Sequence, residues 1–316
     1  MKIKKFLNYK LLSVFLLILT SCGSNGQENA SKTPSQTVSK TLPISIPDSL
    51  IKPLRTLIDS SLQLSLERAI NNNSKWRSLA SRKKIGIGLV DLRDEKNVKF
   101  ARINGSEMMY AASLPKIAIL LAAMDAIEKE ELKETEEIKN DLRLMIGKSD
   151  NAASTRMIDL LGYDKIENTL TDSIYGLYDE EYGGGLWVGK RYAKTGDKHP
   201  DPIKGLSHAA SATQVCRFYY LLVFGKLVNY ERSKQMLDIM TNPKLHHKFV
   251  NTLEKIAPKA KFFRKSGTWR NYHSDSVLVW GPKRKYILVA LIEDEGGEQI
   301  LRQLALVVDN LLKVKE

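Results

Sequence analysis

Short apolar runs typical of β-strands occur near both ends of this chain, and helical patterns fill the stretch between them. The runs that predict strands cover residues 85–92, 98–103, 260–269, 276–280 and 286–292. Because strands come from both ends, we expect one antiparallel sheet assembled from both termini, with flanking helices. The predicted fold is therefore α/β, of the α+β type.

Apolar residues at helical spacing predict helices beside this sheet and throughout the middle of the chain. The predicted helices lie within residues 50–70, 113–124, 141–146, 152–161, 211–222 and 299–312. Ser211 and Gln214 form a capping-box pattern at the start of the fifth of these helices. We therefore expect one domain at residues 49–316. Its α/β part comprises residues 49–112 and 245–316, and an all-α subdomain, residues 113–244, is inserted between them.

The first 21 residues have the pattern of a secretory signal peptide, in which lysines precede an apolar run from Leu11 to Leu19 and small residues follow. Leu19-Thr20-Ser21-Cys22 resembles the lipobox of bacterial lipoproteins, in which Cys22 would become the lipidated first residue; the alternative is a coincidental cysteine in an ordinary signal peptide. Residues 22–48 are rich in Ser, Thr, Asn, Gln and Pro and predict a disordered tether. We expect the protein to be exported and to be anchored through Cys22 to a bacterial membrane, namely the outer membrane.

The composition is that of a globular protein with a basic surface. Of the 316 residues, 43% are hydrophobic, and the formal net charge is +13. The scattered positive charges favour a basic soluble surface first, and attraction to anionic envelope polymers or lipid headgroups second. The sequence contains no Cys/His finger, RNP-type motif or basic helix, which argues against nucleic-acid binding. His208, His246, His247 and His273 lack metal-ligand spacing with Cys or acids, so we expect no metal and no cofactor.

Ser113 and Lys116 lie three residues apart at the mouth of a helix that is apolar all round, and is therefore predicted to be buried. Ser113 fits the N-cap position and Pro115 the first turn. A hydroxyl beside an amine at such a position is the arrangement of an activated nucleophile. Burial would also lower the pKa of Lys116 toward the range of a useful base. The pair alone is a weak signal, because the same spacing occurs at residues 49/52 and 81/84.

Two further polar motifs lie downstream. Ser149-Asp150-Asn151 stands between two predicted helices, where it is either a simple N-cap or a site that gives Ser149 a proton-transfer role and Asn151 an amide-holding role. Lys265-Ser266-Gly267-Thr268 follows two phenylalanines and lies on a predicted strand, where Gly267 would let a ligand approach the strand edge. A second Lys-Thr-Gly, at residues 194–196, lies in a polar loop without a strand, and we reject it.

The order Ser-x-x-Lys, Ser-Asp-Asn and Lys-Ser-Gly resembles that of class A β-lactamases and penicillin-binding proteins. The resemblance covers roughly residues 50–316 and extends to the flanking sequences Ala111-Ala-Ser-Leu-Pro-Lys-Ile-Ala and Leu144-Met-Ile-Gly-Lys-Ser-Asp-Asn. It implies a serine hydrolase. In that family pattern Ser113 is the acylated nucleophile, Lys116 is its base, and Ser149 passes the proton to the leaving nitrogen.

The resemblance also implies which groups hold the substrate. Asn151 would hold a substrate amide, while Lys265, Ser266 and Thr268 would hold its carboxylate. The backbone N–H groups of Ser113 and Thr268 would form the oxyanion hole. The substrate would be a β-lactam or a peptidoglycan stem peptide, and we expect a monomer.

The chain departs from the class A pattern at two places. The interval between Lys116 and Ser149 is shorter, so the cleft should be more open. The Glu-x-x-Leu-Asn segment, whose Glu positions the deacylating water, is absent from residues 178–190. Glu180 and Glu181 lie near the expected distance, either as a replacement base or as solvated loop acids.

Three functions fit these residues. The first is a β-lactamase, the second is a penicillin-binding cell-wall D-Ala peptidase with slow deacylation, and the third is a non-catalytic peptidoglycan-binding lipoprotein. The presence of Ser113, Lys116, Ser149 and Lys265 together favours an enzyme, because a pure binder has no need for all four.

Overall fold

In a computed structural model, the described part of the chain runs from Thr41 to Lys313. The predicted signal peptide, Cys22 and residues 22–40 of the predicted tether lie outside it. The α-helices of this part are α1 (Ser60–Asn71), α2 (Ser74–Ser81), α3 (Lys116–Glu128), α4 (Glu136–Arg143), α5 (Asn151–Leu161), α6 (Tyr163–Thr171), α7 (Ala212–Val223), α8 (Tyr230–Met240), α9 (Phe249–Ile256) and α10 (Gly297–Leu312). Its strands are β1 (Ile85–Asp91), β2 (Lys99–Ile103), β3 (Met109–Tyr110), β4 (Trp187–Val188), β5 (His208–Ala210), β6 (Lys261–Trp269), β7 (Tyr272–Gly281) and β8 (Arg284–Glu293). Between Thr41 and Lys313 no helix has both the length and the apolar character that a membrane span requires.

Five strands form one antiparallel sheet in the order β2-β1-β8-β7-β6. β1 pairs with β8, with Ile87 opposite Ala290, so strands from the two ends of the chain meet near the centre of the sheet. The predicted sheet built from both termini is therefore confirmed. Helices cover both faces, which is why every residue of β1 is buried. One apolar core lies on each face of the sheet.

The helical part of the domain is built around α3, whose residues from Lys116 to Ile127 are all buried. α3 packs against α5, α6 and α8, as expected of a helix that is apolar on all sides. α7 lies between this helical part and the sheet and contacts β1. A Cβ atom on Gly88 of β1 would lie only 2.5 Å from the sulfur of the buried Cys216 on α7. Glycine at this position therefore allows the helix to approach the strand closely.

A second sheet consists of three short strands in the order β3-β5-β4, and the hydrophobic pattern does not predict it. Tyr110 on β3 pairs with Ala209 on β5. Strands of two or three residues carry too little alternation to be recognised in a sequence. Because β3 ends just before Ser113, this sheet positions the segment that leads into α3.

The predicted boundary between tether and domain, at residue 48, is wrong for residues 41–48. Ile44 is buried, and its N–H donates to the Val223 carbonyl at the end of α7 over 2.7 Å. The Tyr230 hydroxyl donates to the Pro43 carbonyl over 3.2 Å. The polar composition of the whole segment conceals one buried isoleucine, which is enough to attach its last residues to the domain.

The predicted capping box at Ser211 is also wrong. Ser211 occupies the N-cap position of α7, but its side chain makes no capping hydrogen bond. The side chains of Ser211 and Gln214 have no hydrogen-bond partner within the described residues. Instead, the Thr213 N–H in the first turn donates to the Gly105 carbonyl over 2.9 Å. A tertiary contact thus satisfies one of the N–H donors in the first helical turn that have no partner within the helix.

Candidate active site

Ser113 lies in the turn that joins β3 to α3. The prediction that Ser113 is the N-cap is wrong, because α3 begins at Lys116 and Pro115 takes the N-cap position. The Lys116 N–H donates to the Ser113 carbonyl over 3.4 Å, and the Ile117 N–H donates to the Leu114 carbonyl over 3.3 Å. These i to i+3 contacts tighten the turn in the manner of a 3-10 helix. The Ser113 hydroxyl is therefore not occupied in capping the helix.

Two hydroxyl groups from distant segments hold this turn. The Tyr192 hydroxyl donates to the Ala112 carbonyl over 3.1 Å, and the Ser274 hydroxyl on β7 donates to the Ala111 carbonyl over 2.8 Å. Ala112 has a φ angle of +51°, which residues with a side chain rarely adopt. Both contacts stabilise a strained residue next to the serine. Sequence reasoning missed Tyr192, because its polar loop carries no periodic pattern.

The Lys116 side chain is fully buried. Its Nζ donates to the Ser149 carbonyl over 2.7 Å and to Asn151 Oδ1 over 2.8 Å, and it lies 4.4 Å from the centre of the Tyr192 ring. Burial lowers the pKa of Lys116 to about 7, and the Asp150 carboxylate opposes part of this shift. A large fraction of Lys116 is therefore unprotonated at neutral pH, as a general base requires.

Ser149 connects the two lysines of the site. A π-helical turn, Leu144–Lys148, ends at Ser149, which has a φ angle of +58°. Turns of this type are rare and frequently occur at functional sites. The Ser149 carbonyl accepts from Lys116, and its hydroxyl accepts from Lys265 Nζ over 2.8 Å. The sequence predicts this serine as a site residue, and the structure brings it together with both cations.

Asp150 supplies the helix cap that the same motif predicts. Its carboxylate accepts the Ala153 N–H over 2.7 Å at the start of α5. The N-cap interpretation of the motif is therefore confirmed, with Asp150 as the capping residue. Asp150 caps the helix, while Ser149 and Asn151 contact the lysines.

Lys265 lies on the edge strand β6 and is almost completely buried. Besides Ser149, its Nζ contacts the Ser266 carbonyl over 2.8 Å. Burial lowers the pKa of Lys265 well below its ordinary value, and the charges of Lys116 and Arg264 act in the same direction. A ligand carboxylate at this position would favour the charged form of the lysine. The rejected alternative, Lys194, is exposed.

Strand β6 passes very close to the Ser113 turn at Gly267. A Cβ atom on Gly267 would lie 2.3 Å from the Ala111 carbonyl oxygen and 2.6 Å from the Ser113 nitrogen. Only glycine permits this approach. β6 is an edge strand, and on its outer side the described residues form only an isolated bridge between Phe263 and Thr241. Ser113 and the exposed Thr268 are thus close in space, as an oxyanion hole built from their N–H groups requires.

Lys248 is a buried residue beside the site that sequence reasoning missed. It immediately precedes α9, and its Nζ donates to the Gly267 carbonyl over 2.5 Å and to the Ser274 carbonyl over 3.0 Å. Burial lowers the pKa of Lys248 to about 8. The buried ion pair of Arg264 and Asp275, 2.7 Å apart, lies nearby. These groups stabilise the hairpin of β6 and β7. No local pattern distinguishes Lys248 from a solvated loop lysine.

Glu180 and Glu181, the candidate deacylation bases, lie between α6 and β4. Both are exposed on a short 3-10 turn that packs against Arg55. Within the described residues, neither glutamate has a hydrogen bond with the groups around Ser113. The only carboxylate in this part of the chain that shifts the pKa of Lys116 is that of Asp150.

This fold is that of class A β-lactamases and related penicillin-binding proteins. A β-lactamase from Sphaerobacter thermophilus DSM 20745 is 18% identical, with a TM-score of 0.62, over 81% of this chain and 97% of that one. A β-lactamase from Chitinophaga pinensis DSM 2588 is 16% identical, with a TM-score of 0.60, over 77% and 100% of the two chains. The structure of PBP-A is 19% identical, with a TM-score of 0.58, over 85% and 98%. At these identities the similarity establishes the fold.

The family follows from the sequence itself. A model of the beta-lactamase enzyme family, Beta-lactamase2, matches residues 65–141 and 138–311. Because these segments span most of the chain, the protein belongs to this family of β-lactamase-like and penicillin-binding-protein-like enzymes. None of the curated proteins compared with the sequence matches it. The resemblance inferred from the three motifs is confirmed.

Proposed function

We propose that this protein is a serine hydrolase in which Ser113 forms an acyl-enzyme with β-lactam or acyl-D-alanine-type amides. The observation that carries the proposal is the meeting of two buried lysines at Ser149. Lys116 donates to its carbonyl and Lys265 donates to its hydroxyl. Burying an ammonium group is unfavourable, so a fold that buries two of them at one serine uses them for more than packing.

Acylation uses Lys116 as the base and the Ser149 hydroxyl as the route for the proton. Unprotonated Lys116 takes the proton of the Ser113 hydroxyl, whose oxygen bonds to the substrate carbonyl carbon. The Ser113 and Thr268 N–H groups stabilise the resulting oxyanion. The proton held by Lys116 then reaches the leaving nitrogen through the Ser149 hydroxyl as the C–N bond breaks. The products are an ester at Ser113 and a free amine on the departing or opened part of the substrate.

The substrate class follows from the charges that surround the nucleophile. Penicillins and acyl-D-alanyl-D-alanine peptides carry a carboxylate beside the amide that is cleaved. The buried Lys265 lies where such a carboxylate would be held, with the hydroxyls of Ser266 and Thr268. The Asn151 side chain, already in contact with Lys116, would hold the amide on the acyl side.

We propose further that the acyl-enzyme decays slowly. Deacylation needs an oriented water with its own base, and losing such a base typically slows the step about 10²- to 10⁴-fold. Glu180 and Glu181 are exposed, and within the described residues neither forms a hydrogen bond or an ion pair with the groups of the site. Tyr192 lies next to Lys116, but burial raises its pKa well above the ordinary value, so its hydroxyl stays protonated. These observations favour a penicillin-binding enzyme with slow turnover over an efficient β-lactamase.

The proposed location is outside the cytoplasm, on a lipid anchor in the outer membrane. The signal-like pattern of residues 1–21 and the lipobox-like Leu19-Thr20-Ser21-Cys22 support it. A cell-wall stem peptide would be accessible there.

Intact-mass measurement over time with benzylpenicillin tests the proposal. We expect the wild-type protein to gain the mass of one penicillin and to keep it long after mixing, with little antibiotic hydrolysed. Ser113→Ala should gain nothing. Ser49→Ala and Ser81→Ala, which alter the other two Ser-x-x-Lys pairs, should behave as wild type. A lack of adduct on the wild type would instead favour the non-catalytic peptidoglycan binder, and rapid hydrolysis would favour a true β-lactamase.

The same assay separates the two Lys-[Ser/Thr]-Gly motifs. Lys265→Gln should lower the acylation rate strongly, because it removes the buried cation that contacts Ser149 and that would hold the substrate carboxylate. Lys194→Gln should have little effect, because Lys194 is exposed in a loop. The reverse result would mean that the wrong motif had been assigned.

A further inference from the structure

A groove of about 520 Å³ lies beside the Ser149 segment. One wall is formed by the end of α4 and the following π-helical turn, and the other wall is formed by the end of α8 and residues 241–244. The apolar residues of its lining are Met124, Leu142, Leu144 and Ile239. The proposed acylation mechanism uses none of the residues that line this groove.

Three cations on the groove have no counter-ion among the described residues. Arg143, Lys148 and Lys244 are all exposed and line the groove. Within residues 41–313, none of the three forms an ion pair or a side-chain hydrogen bond. The charge of Arg143 helps to lower the pKa of Glu136, but the two side chains do not form an ion pair. Glu136 is already paired with Lys139 over 2.9 Å. The groove therefore carries a local excess of positive charge.

The acidic residues of the groove do not compensate this charge. Glu134 pairs with Arg232 over 2.8 Å, and Asp238 pairs with Lys234 over 3.3 Å. Because each carboxylate already has its own partner, an anion that enters the groove would meet three cations with unused hydrogen-bond donors. The chemistry of the groove thus favours a ligand with aliphatic and carboxylate groups.

Both walls of the groove continue into the candidate active site. Lys148 directly precedes Ser149 at the end of the π-helical turn. On the other wall, Thr241 forms a β-bridge with Phe263, two residues before Lys265 on β6. The groove and the candidate active site therefore share two bordering segments, the π-helical turn before Ser149 and the residues paired with β6.

We propose that this groove binds an anionic peptide portion of the substrate, with Arg143, Lys148 and Lys244 pairing with its carboxylates. This proposal rests on the proposed function, because it assigns the groove to the same acyl donor that Ser113 attacks. It makes the enzyme selective for acyl donors that carry additional carboxylates over neutral acyl donors of the same length. Exposed ion pairs are individually weak and are screened by salt, so the selectivity should depend on ionic strength.

The test compares two matched acyl donors. Both are short peptides that end in D-alanyl-D-lactate; one contains two glutamates, and the other contains glutamines at the same positions. The proteins are wild type, the triple variant R143Q/K148Q/K244Q, and a control triple variant K52Q/K259Q/K261Q. The control removes the same charge at exposed lysines elsewhere on the domain. The measured quantity is the second-order rate constant for acylation of Ser113, followed by intact mass.

With the glutamate donor at low salt, the acylation rate constant of the groove variant should be about 5- to 50-fold lower than that of wild type. This range is consistent with the loss of three exposed ion pairs. With the glutamine donor it should change less than about twofold, and at 0.5 M salt the loss should shrink because screening is stronger. The control variant should match wild type with both donors. Equal losses for both donors, a similar loss in the control, or no loss at all would overturn the proposal.

A direct binding measurement keeps this test separate from that of the proposed function. If no donor acylates Ser113, the proposed function fails. The affinities of the two fluorescently labelled peptides for the same three proteins then decide the groove. Weaker binding of the glutamate peptide to the groove variant alone would support the anion site. Equal binding to all three proteins would refute it.

Discussion

Lys116 shows how the surroundings of one side chain change its acid–base behaviour. Its sequence neighbours make α3 apolar all round, so the helix is enclosed and the lysine is buried with it. Burial lowers the pKa of its ammonium group to about 7, and the carboxylate of Asp150 limits the shift. The same burial that is unfavourable for a charge therefore produces an amine that can accept a proton at neutral pH.

The pH dependence of acylation should report this pKa. Below pH 7 Lys116 is protonated and cannot take the Ser113 proton, so the acylation rate should fall about tenfold for each pH unit and should level off above pH 7. Lys116→Gln should lower the plateau about 10²- to 10⁴-fold and abolish the rising limb. The measurement is the benzylpenicillin acylation rate from pH 5 to 9, with Lys194→Gln as control. An unchanged profile in Lys116→Gln would show that another group is the base.

The loop glutamates provide a second prediction at this scale. Glu180→Gln and Glu181→Gln should leave the lifetime of the penicillin adduct unchanged within about twofold, the scatter expected of surface changes. The physical reason is that both side chains are exposed to solvent and, among the described residues, have no hydrogen bond with the site that would orient a water. The lifetime is followed by intact mass after excess antibiotic has been removed. A longer-lived adduct in either variant would identify that glutamate as the deacylation base.

Among the elements, the close contact between β6 and the Ser113 turn matters most for the site. Gly267 brings the edge strand against Ala111 and Ser113. Lys248 donates to the carbonyls of Gly267 and Ser274. The strand is therefore contacted near Gly267 by both the Ser113 turn and Lys248, which limits its movement relative to Ser113.

A methyl group at position 267 should disrupt this contact. Gly267→Ala would place Cβ 2.3 Å from the Ala111 oxygen and 2.6 Å from the Ser113 nitrogen, so the strand or the turn must move. We expect the free energy of unfolding to fall by about 1–3 kcal/mol and the acylation rate to fall about 10²-fold, since displacements near 1 Å have such effects. Urea unfolding and penicillin acylation measure the two quantities.

Gly86→Ala is the matched control on the same sheet. A Cβ atom on Gly86 would find its nearest neighbour at 3.5 Å, an ordinary van der Waals distance. Its stability should change by less than about 1 kcal/mol, and its acylation rate should be unchanged. If Gly267→Ala acylated as fast as Gly86→Ala, the close approach of β6 would have no part in the reaction.

For the whole molecule, the last prediction concerns the proposed anchor. If Leu19-Thr20-Ser21-Cys22 is a lipobox, the protein expressed with its leader should partition with membranes, while Cys22→Ser should not be lipidated and should appear in the soluble fraction. Fractionation and mass analysis of the N-terminal peptide measure this. Cys216→Ser, which alters the buried cysteine of α7, is the control and should remain membrane-bound. Lipid on the Cys22→Ser protein would contradict the prediction.

The sequence by itself determined the elements whose signal is local. Apolar runs near both ends predicted the five-stranded sheet, and an all-apolar helix predicted that Lys116 is buried. The order and context of three short motifs, those of Ser113, Ser149 and Lys265, pointed to the family. These inferences succeeded because side-chain periodicity, turn residues and motif spacing depend on neighbours in the chain.

Only the tertiary structure decided which groups surround these residues. Lys265 reaches Ser149 across 116 positions of sequence, and Ser274 reaches Ala111 across 163. The predicted caps at Ser113 and Ser211 failed because tertiary contacts and a tight turn replaced the local hydrogen bonds. Lys248 has no sequence signal at all. Such contacts depend on how whole elements pack, and packing is specified by the shape of the complete core and not by any single segment.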